Sequence, residues 1–395
     1  MVAVNPKPRI IGETDGYKLY SDRLEEAGVS GEPSNLISKV RPGGSLVFEY
    51  GPAAGGLLES AGVDIDTFGE YIRGVNVTPY KVRRISVSGG VEDVLLRVER
   101  VNGCFAASHT AAFLLALEKA YGVEAPQDVV IGRVAQIELE RIRNNMFVAQ
   151  RLAEHAGFSV PSANLLYLIE EVNRVIGRAF GHRYFYGVNT LRGFRMDWQL
   201  DLGALKNIVD EFREVFRGLL DNRVFIDRLQ GNGVIVDEGS IGPAARAAGY
   251  VYDARLDGDL AGVYAGLGLS VVRADSGDAF GRLLVRGLEV DESFRILSGL
   301  RLRAGENEVD WLSGSHSDNT GFSGSGLGWV ESPSGDLAYH VVVRDGKISR
   351  VLLFAPSNVN LRLFTSSMVG NVFTDLPFNW ESFGIWMSEV GVRFV

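Results

Sequence analysis

The period of apolar and polar positions changes twice along this chain. Up to residue 104 the apolar residues come in short, loosely alternating runs. Val47-Phe48-Glu49-Tyr50 ends at Gly51-Pro52, Asp66 to Val77 and Tyr80 to Val87 follow, and Ser88-Gly89-Gly90 turns the chain into Val94 to Val98. Alternation bounded by Gly and Pro predicts strands. Between residues 105 and 225 the repeat lengthens to that of a helix. His109, Phe113, Ala116, Leu117 and Ala120 share one face of a first helix. A second, capped by Asp128, runs without Gly or Pro from Val134 to Ala156 and stops at Gly157. A third opens at Pro161-Ser162 with the stripe Leu165, Leu168, Ile169, Val172, Val175 and Ile176, and a fourth carries Leu205, Ile208, Val209, Phe212, Val215, Phe216 and Leu219. Short connections between such helices favour an up-and-down bundle.

Beyond Gly231 the pattern is mixed and rich in glycine. Arg282 to Arg301 reads as a helix, and Tyr339 to Phe354 as a hairpin about Asp345-Gly346. Gly314 to Gly328 reads as an irregular loop. Its glycines at 321, 324, 326 and 328 invite a phosphate-loop reading, but neither a preceding strand nor a following helix is predicted, so the required context is missing. The whole predicts an α+β fold. Residues 1–104 form a β-rich region, 105–225 a central helical bundle, and 226–395 a mixed α/β region, which the family resemblance set out below implies returns to the bundle cavity.

One stripe breaks the amphipathic rule. Val134, Glu138, Arg141, Asn145, Val148, Leu152 and His155 follow alternating steps of four and three and share a face of the second helix, yet most are polar. Two readings stand. The stripe is the wet face, with Ile131, Ala135, Ile142, Ala149 and Ala156 buried, or it lies inside the bundle as a paired ionic network, since a lone buried charge is too costly to keep. His109, on an apolar face, is open between a satisfied core histidine and a functional one.

Composition narrows the classes. With 395 residues, 46% hydrophobic and 23% charged, the chain is that of a globular protein. A net charge of −9 argues against nucleic acid as a partner. The single cysteine, Cys104, excludes an internal disulfide and any cysteine-rich zinc or iron–sulfur site. Residues 1–31 lack the apolar core of a signal peptide, and Leu260 to Val272, with three glycines, is too short to span a bilayer.

The segment Glu99-Arg100-Val101-Asn102-Gly103-Cys104-Phe105-Ala106-Ala107-Ser108-His109 resembles the E-R-x-C-G-x-C-x-x-S-H element of nickel-iron hydrogenase large subunits. Further blocks follow in the family's order. They are Gly51-Pro52, Gly69-Glu70, Tyr80 to Arg84, Arg133 with Glu138-Leu139-Glu140-Arg141, and Gly242-Pro243 with Arg246, Gly249, Asp253 and Arg255. Then come Gly277-Asp278 with Arg282, Arg286, Glu289 and Ser293, Glu331 with Pro333 and Gly335, Ala355-Pro356-Ser357, and Asp375-Leu376-Pro377 with Ser382. The chain resembles the large subunit of energy-converting nickel-iron hydrogenases and its relative, the D-type subunit of complex I. The four metal-binding cysteine positions fall on Asn102, Phe105, Trp386 and Glu389, and an arginine position on Ser334. None supplies a thiolate, so the resemblance implies a pocket without nickel, iron or hydrogen chemistry. The quinone-contacting histidine of the D-type subunits falls within Gly51 to Gly55, and their quinone tyrosine on Gly103.

Three functions are compatible with this resemblance. The first is a redox subunit of a membrane-associated, ion-translocating complex of the NADH-quinone oxidoreductase type, peripheral on the cytoplasmic side. It would bind no cofactor itself and take electrons from an iron–sulfur cluster in a small partner subunit, beside membrane subunits, for a quinone or another small acceptor. His109, Glu138, Arg141, Asp253, Arg255 and Asp375 would then line the cavity or its proton path, with His155 as a further proton carrier. The second is a non-catalytic coupling subunit of such a complex. The third is a free-standing enzyme that reuses the fold.

Overall fold

The computed structural model describes residues 9–14, 16–21, 23–26, 43–52, 57–236, 239–300 and 322–395. Ala53-Ala54-Gly55, Arg301 and residues 314–321 lie outside the described residues. Antiparallel strands open the chain: β1 (Ile10–Thr14), β2 (Tyr17–Tyr20) and β3 (Leu24–Glu26) form one meander, and β4 (Ser45–Tyr50), β5 (Ala61–Phe68) and β6 (Tyr71–Pro79) a second. The stretch predicted as a single segment from Asp66 to Val77 is two strands, because Gly69-Glu70 turns the chain between them. Alternate residues of β5, Ala61, Val63 and Ile65, face the core. β7 (Arg83–Ile85) pairs in parallel with the C-terminal β13 (Val392–Phe394), bringing distant parts of the chain together.

The predicted strand Val94 to Val98 is instead part of a helix, α1 (Val91–Val98). Val94, Leu95 and Val98 are its buried residues, a helical rather than an alternating spacing, and the Asp93 carboxylate accepts the Gly90 amide at 3.0 Å. The bundle then follows: α2 (Ala106–Tyr121), α3 (Gln127–His155), α4 (Ser159–Phe180) and α5 (Leu202–Leu220). Pro126, not Asp128, occupies the cap position of α3; Asp128 sits in its first turn, where a carboxylate suits the helix dipole. A short hairpin, β8 (Asn189–Thr190) and β9 (Gly193–Phe194), joins α4 to α5. Small helices α6 (Arg223–Asp227), α7 (Gly242–Ala247), α8 (Ala254–Asp257) and α9 (Ala261–Gly266) lead to the long α10 (Ala279–Gly299).

With α2, α4, α10 and α12 (Leu376–Phe383) packed around it, α3 has almost no wet face. Its polar stripe is therefore interior: Glu138, Arg141 and Asn145 are fully buried, as are Ile137 and Ile142. That outcome selects the paired-network reading over the solvated-face one.

The C-terminal sheet, β10 (Gly324–Ser332), β11 (Gly335–Arg344) and β12 (Lys347–Phe354), is an antiparallel meander laid on α2, and contains the predicted hairpin. It also overturns the loop reading for Gly324 to Gly328, which lie in β10. Their period of two sets three glycines on one face of the strand. A Cβ on Gly324, Gly326 or Gly328 would sit 2.4, 2.1 and 2.0 Å from the carbonyl oxygens of Ala120, Ala116 and Ala112. These glycines bring strand and helix backbones into direct contact; phosphate binding has no part in it. The chain continues through α11 (Pro356–Ser367), α12 and α13 (Met387–Val390), which return to the bundle.

Gly326→Val should therefore cost about 3 kcal/mol or more through overpacking. Gly218→Ala, at a position facing open space, should leave stability within about 1 kcal/mol. Denaturant unfolding of the two variants beside the parent checks this; equal midpoints for parent and Gly326→Val would contradict the packing argument.

Candidate functional site

Two buried polar clusters lie in the interior. The larger is ionic. On α3, Glu138 accepts the Tyr264 hydroxyl at 2.7 Å, the Ser293 hydroxyl at 2.6 Å and Arg141 Nε at 3.2 Å. Arg141 in turn donates to the backbone carbonyls of Glu331 and Ser332 at 2.7 and 3.1 Å. Asp253 caps α8, and Arg255 on that helix pairs with it at 2.7 Å, with Glu289 at 3.1 Å and with Glu138 at 3.6 Å. Arg246 on α7 meets Glu289 at 2.7 Å, Glu331 at 2.8 Å and Asp253 at 3.2 Å. Asn145 links Glu289 to Arg286 on α10. Six elements, α3, α7, α8, α9, α10 and β10, are tied at one point.

Electrostatics in this cluster follow from burial against partners. Burial alone would raise Asp253, but Arg255 and Arg246 outweigh it and hold its carboxyl well below the usual range. Glu289 is likewise pushed up by burial and pulled below its ordinary value by Arg246, Arg255 and Arg141. Glu331 goes the other way: burial, then the nearby Asp253 carboxylate, push it up to about 7 despite Arg246. Arg282 and Arg286, which donate to carbonyl, hydroxyl and amide oxygens, are pulled down by burial to about 9 and about 10.

The second cluster gathers the four positions that the resemblance assigns to metal-binding cysteines. Asn102, Phe105, Trp386 and Glu389, far apart in sequence, meet here. Asn102 Nδ2 donates to Glu389 Oε1 at 2.8 Å, and the Phe105 and Trp386 rings stand edge to face at 5.7 Å. Phe147 from α3 stacks on the Trp386 ring at 6.1 Å. His109 Nε2 lies 3.3 Å from Glu389 Oε1 and Nδ1 2.8 Å from the Tyr339 hydroxyl. The neutral tautomer that satisfies both donates Nε2–H to Glu389 and accepts the Tyr339 proton at Nδ1. The Ser357 hydroxyl donates to Glu389 Oε2 at 2.6 Å. Beneath, the Glu140 carboxylate accepts the Ala107 and Ser108 amides at the N-terminus of α2. An amide, a carboxylate and two rings do not match the soft donor set of a nickel-iron centre.

The six candidate residues thus divide. Glu138, Arg141, Asp253 and Arg255 share the ionic cluster, and His109 belongs to the second. Asp375 joins neither; it sits 3.4 Å from the half-exposed Arg228, and burial raises its carboxyl above the usual value. His155 is separate again, 3.2 Å from Arg151 and 3.5 Å from Glu381 at the end of α3. A relay handing protons directly among His109, Glu138 and His155 is not what the side chains form, because each bonds to a different carboxylate or hydroxyl set.

Sequence reasoning passes over several participants. Arg246, Glu289, Ser293 and Glu331 stand in the resembling blocks, and that position was the signal that could have found them. Tyr264, Tyr339 and Tyr186 carry no such signal. The Tyr186 hydroxyl lies 2.3 Å from where a Cβ on Gly103 would sit, so the position assigned to an absent tyrosine is occupied by one from another segment.

Removing one partner from the ionic cluster leaves uncompensated buried charge. Arg255→Ala should cost about 3–5 kcal/mol, read by denaturant unfolding; a loss below about 1 kcal/mol, the size of a surface pair, would contradict it. Glu331 gives a pH dependence. Its folded value lies above its ordinary 4.5, so the folded state binds more protons in between. Stability from this group is fully present below that ordinary value and is lost as pH rises towards 7. Thermal midpoints of Glu331→Gln should lack this fall.

Comparison with known proteins bears on these clusters. Residues 161–313 match the family described as the 49 Kd subunit of respiratory-chain NADH dehydrogenase. The D-type subunit of the NADH-quinone oxidoreductase of Deinococcus radiodurans is 30% identical over 304 residues, covering 68% of this chain and 75% of that protein. The carbon monoxide-induced hydrogenase of Rhodospirillum rubrum is 25% identical, covering 83% of this chain and 94% of that one, and the alpha subunit of the membrane-bound hydrogenase of Pyrococcus furiosus is 27% identical, covering 83% of each. Among solved structures, a chain of the membrane-bound sulfane sulfur reductase, an archaeal respiratory membrane complex, superposes with a TM-score of 0.75 at 20% identity, covering 88% of this chain and 98% of that one; the likeness is one of fold. No helix among the described residues is long and apolar enough to cross a membrane. Matching ordered blocks, the shared fold and these relatives lead to one conclusion: the chain belongs to the family of complex I D-type (49 kDa) subunits and membrane-bound hydrogenase large subunits.

Proposed function

We propose that this chain is the large subunit of a membrane-associated respiratory or energy-converting oxidoreductase complex, peripheral on the cytoplasmic side. It works with an iron–sulfur small subunit and membrane subunits, without a nickel-iron site, in electron transfer to a quinone or another small acceptor. The observation that carries the reading is the convergence of Asn102, Phe105, Trp386 and Glu389 on one pocket, where His109, Tyr339, Ser357 and Glu389 form a hydrogen-bonded polar set in place of thiolates.

What this chain contributes is positioning and protons. Electrons would come from the cluster of the partner subunit. Burial, then the Glu389 carboxylate, keep the Tyr339 phenol well above its ordinary value, so it remains a neutral donor to His109. His109 holds its proton at Nε2 against Glu389 and offers Nδ1 as acceptor to Tyr339, a hydrogen-bonded path between phenol and carboxylate. The ionic cluster around Glu138 and Arg255 has every carboxylate paired, which suits a rigid brace.

A second reading is favoured by one observation: Phe105, Trp386 and Phe147 fill much of the pocket with ring carbon. On that reading the subunit is non-catalytic and couples a peripheral module to a membrane module. The intact complex, purified with its partners, separates the two. The redox reading expects iron and labile sulfide without nickel on metal analysis, and reduction of a short-chain quinone analogue that falls at least about tenfold in His109→Gln when one donor–acceptor link is removed. Nickel in the complex would sink the central claim, and quinone turnover unaffected by His109→Gln would favour the coupling subunit.

A further inference from the structure

The N-terminal meander, β1 to β3, stands ahead of the blocks that carry the family resemblance, which begin at Gly51. Among the described residues its strands pair only with one another, so side chains hold it to the body. Ile11 and Leu19 are fully buried, in a small apolar cluster with Ala254, Trp329, Ala338, Leu352 and Phe354 that is separate from the two larger cores. Two exposed arginines add surface contacts: Arg362 lies 3.8 Å from Glu13, and Arg350 sits over the Tyr17 ring at 4.6 Å.

Arg9, next to β1, makes a contact of another kind. Its Nη1 and Nη2 donate to the two oxygens of Asp336 at 2.6 and 3.0 Å, with 9% and 1% of the two side chains exposed. The guanidinium carbon also lies 5.1 Å from the centre of the Tyr252 ring and 5.8 Å from that of Trp329. These receiving groups are held without Arg9. Tyr252 stacks on Tyr250 at 5.3 Å, and Trp329 Nε1 donates to Asp336 Oδ1 at 2.9 Å. Trp329 and Asp336 are fixed in turn by the pairing of β10 with β11. A carboxylate aimed in advance, between two aromatic faces, complements a guanidinium. That cation forks onto both oxygens and is weakly enough hydrated to enter a ring-lined site, whereas an ammonium suits neither feature as well.

We propose that Asp336, Trp329 and Tyr252 form a guanidinium-binding site on the body of the fold, and that Arg9 is its ligand within the chain, latching the N-terminal meander as a strap that can leave while the bundle stays folded. Release of the strap breaks no sheet, because no strand pairing joins it to the body. It also leaves the paired charges of α3, α7, α8 and α10 in place. What it uncovers is the Asp336 carboxylate, the two rings and the apolar face under Ile11 and Leu19. The site is independent of the electron acceptor and of the polar set around His109.

The test uses the full chain in its purified complex. Hydrogen–deuterium exchange read by mass spectrometry reports the strap through the amides of β1 to β3 and the bundle through those of α3. Arg9→Lys keeps the charge and loses the fork. It should speed exchange in the strap at least about tenfold, the least expected when one partner of a buried pair is lost, with α3 unchanged; Arg9→Ala should do the same. N-acetylarginine amide is the probe for the emptied site, read by saturation-transfer NMR, with N-acetyllysine amide as the control. It should bind Arg9→Ala in preference to the control. It should bind neither the parent, where Arg9 fills the site, nor the double variant Arg9→Ala with Asp336→Asn. Unchanged strap exchange in both Arg9 variants overturns the latch, and so does a rise shared by α3. Equal probe binding by parent and Arg9→Ala, binding by neither, or equal binding of the two amides to Arg9→Ala overturns the guanidinium site.

Discussion

Pairing of buried charge governs this structure. Four carboxylates, Glu138, Asp253, Glu289 and Glu331, face the guanidiniums of Arg141, Arg246 and Arg255 with no water-exposed member among them. Each charge taken alone would cost several kcal/mol to bury, so none can move far without its partners. The groups come from α3, α7, α8, α10 and β10, which fixes the mutual placement of the bundle and the C-terminal region more sharply than apolar packing would. Hydrophobic contacts tolerate sliding, whereas a set of shared carboxylates and bidentate guanidiniums does not.

That brace has a consequence for the pocket next to it. Arg141 holds the carbonyls of Glu331 and Ser332, Arg286 holds those of Pro333, Ser382 and Phe383, and the Ser334 hydroxyl reaches the Gly384 carbonyl. The turn between β10 and β11 and the end of α12 are thereby anchored, and Trp386 and Glu389 follow directly after. The pocket is held by groups outside it, so its lining can change chemistry without the walls collapsing. Asn102 and Glu389 bond to one another, and the two rings occupy the remaining volume. The residues that hold the walls and the residues that line the pocket are separate sets.

Much of the architecture is legible in the sequence. The four long helices, the terminal hairpin and the α+β arrangement follow from period and punctuation, because long segments average out local ambiguity. Short segments do not: Val94 to Val98 is too brief for period alone to separate strand from helix, and the Asp93 interaction with Gly90 decides it. The glycines of β10 read as loop because a strand packed directly on a helix backbone needs the same residue that marks a turn. Of the candidate site, Glu138, Arg141, Asp253 and Arg255 stand out together in the sequence, and do lie together. His109 belongs to the other cluster, and Asp375 to neither.

By itself the sequence determined which donor atoms reach the pocket: Asn102, Phe105, Trp386 and Glu389 carry no thiol, and a side chain's donor atoms are a property of the residue type. It determined the helical periods for the same reason, since they depend on neighbours in the chain. Whether the polar stripe of α3 faced water or the interior was decided only by tertiary structure, because that depends on what covers the helix from α10 and β10. So was the meeting of Tyr186 with Gly103, two residues with no mark to connect them, whose contact exists only because the loop folded around His182 returns to the start of α2.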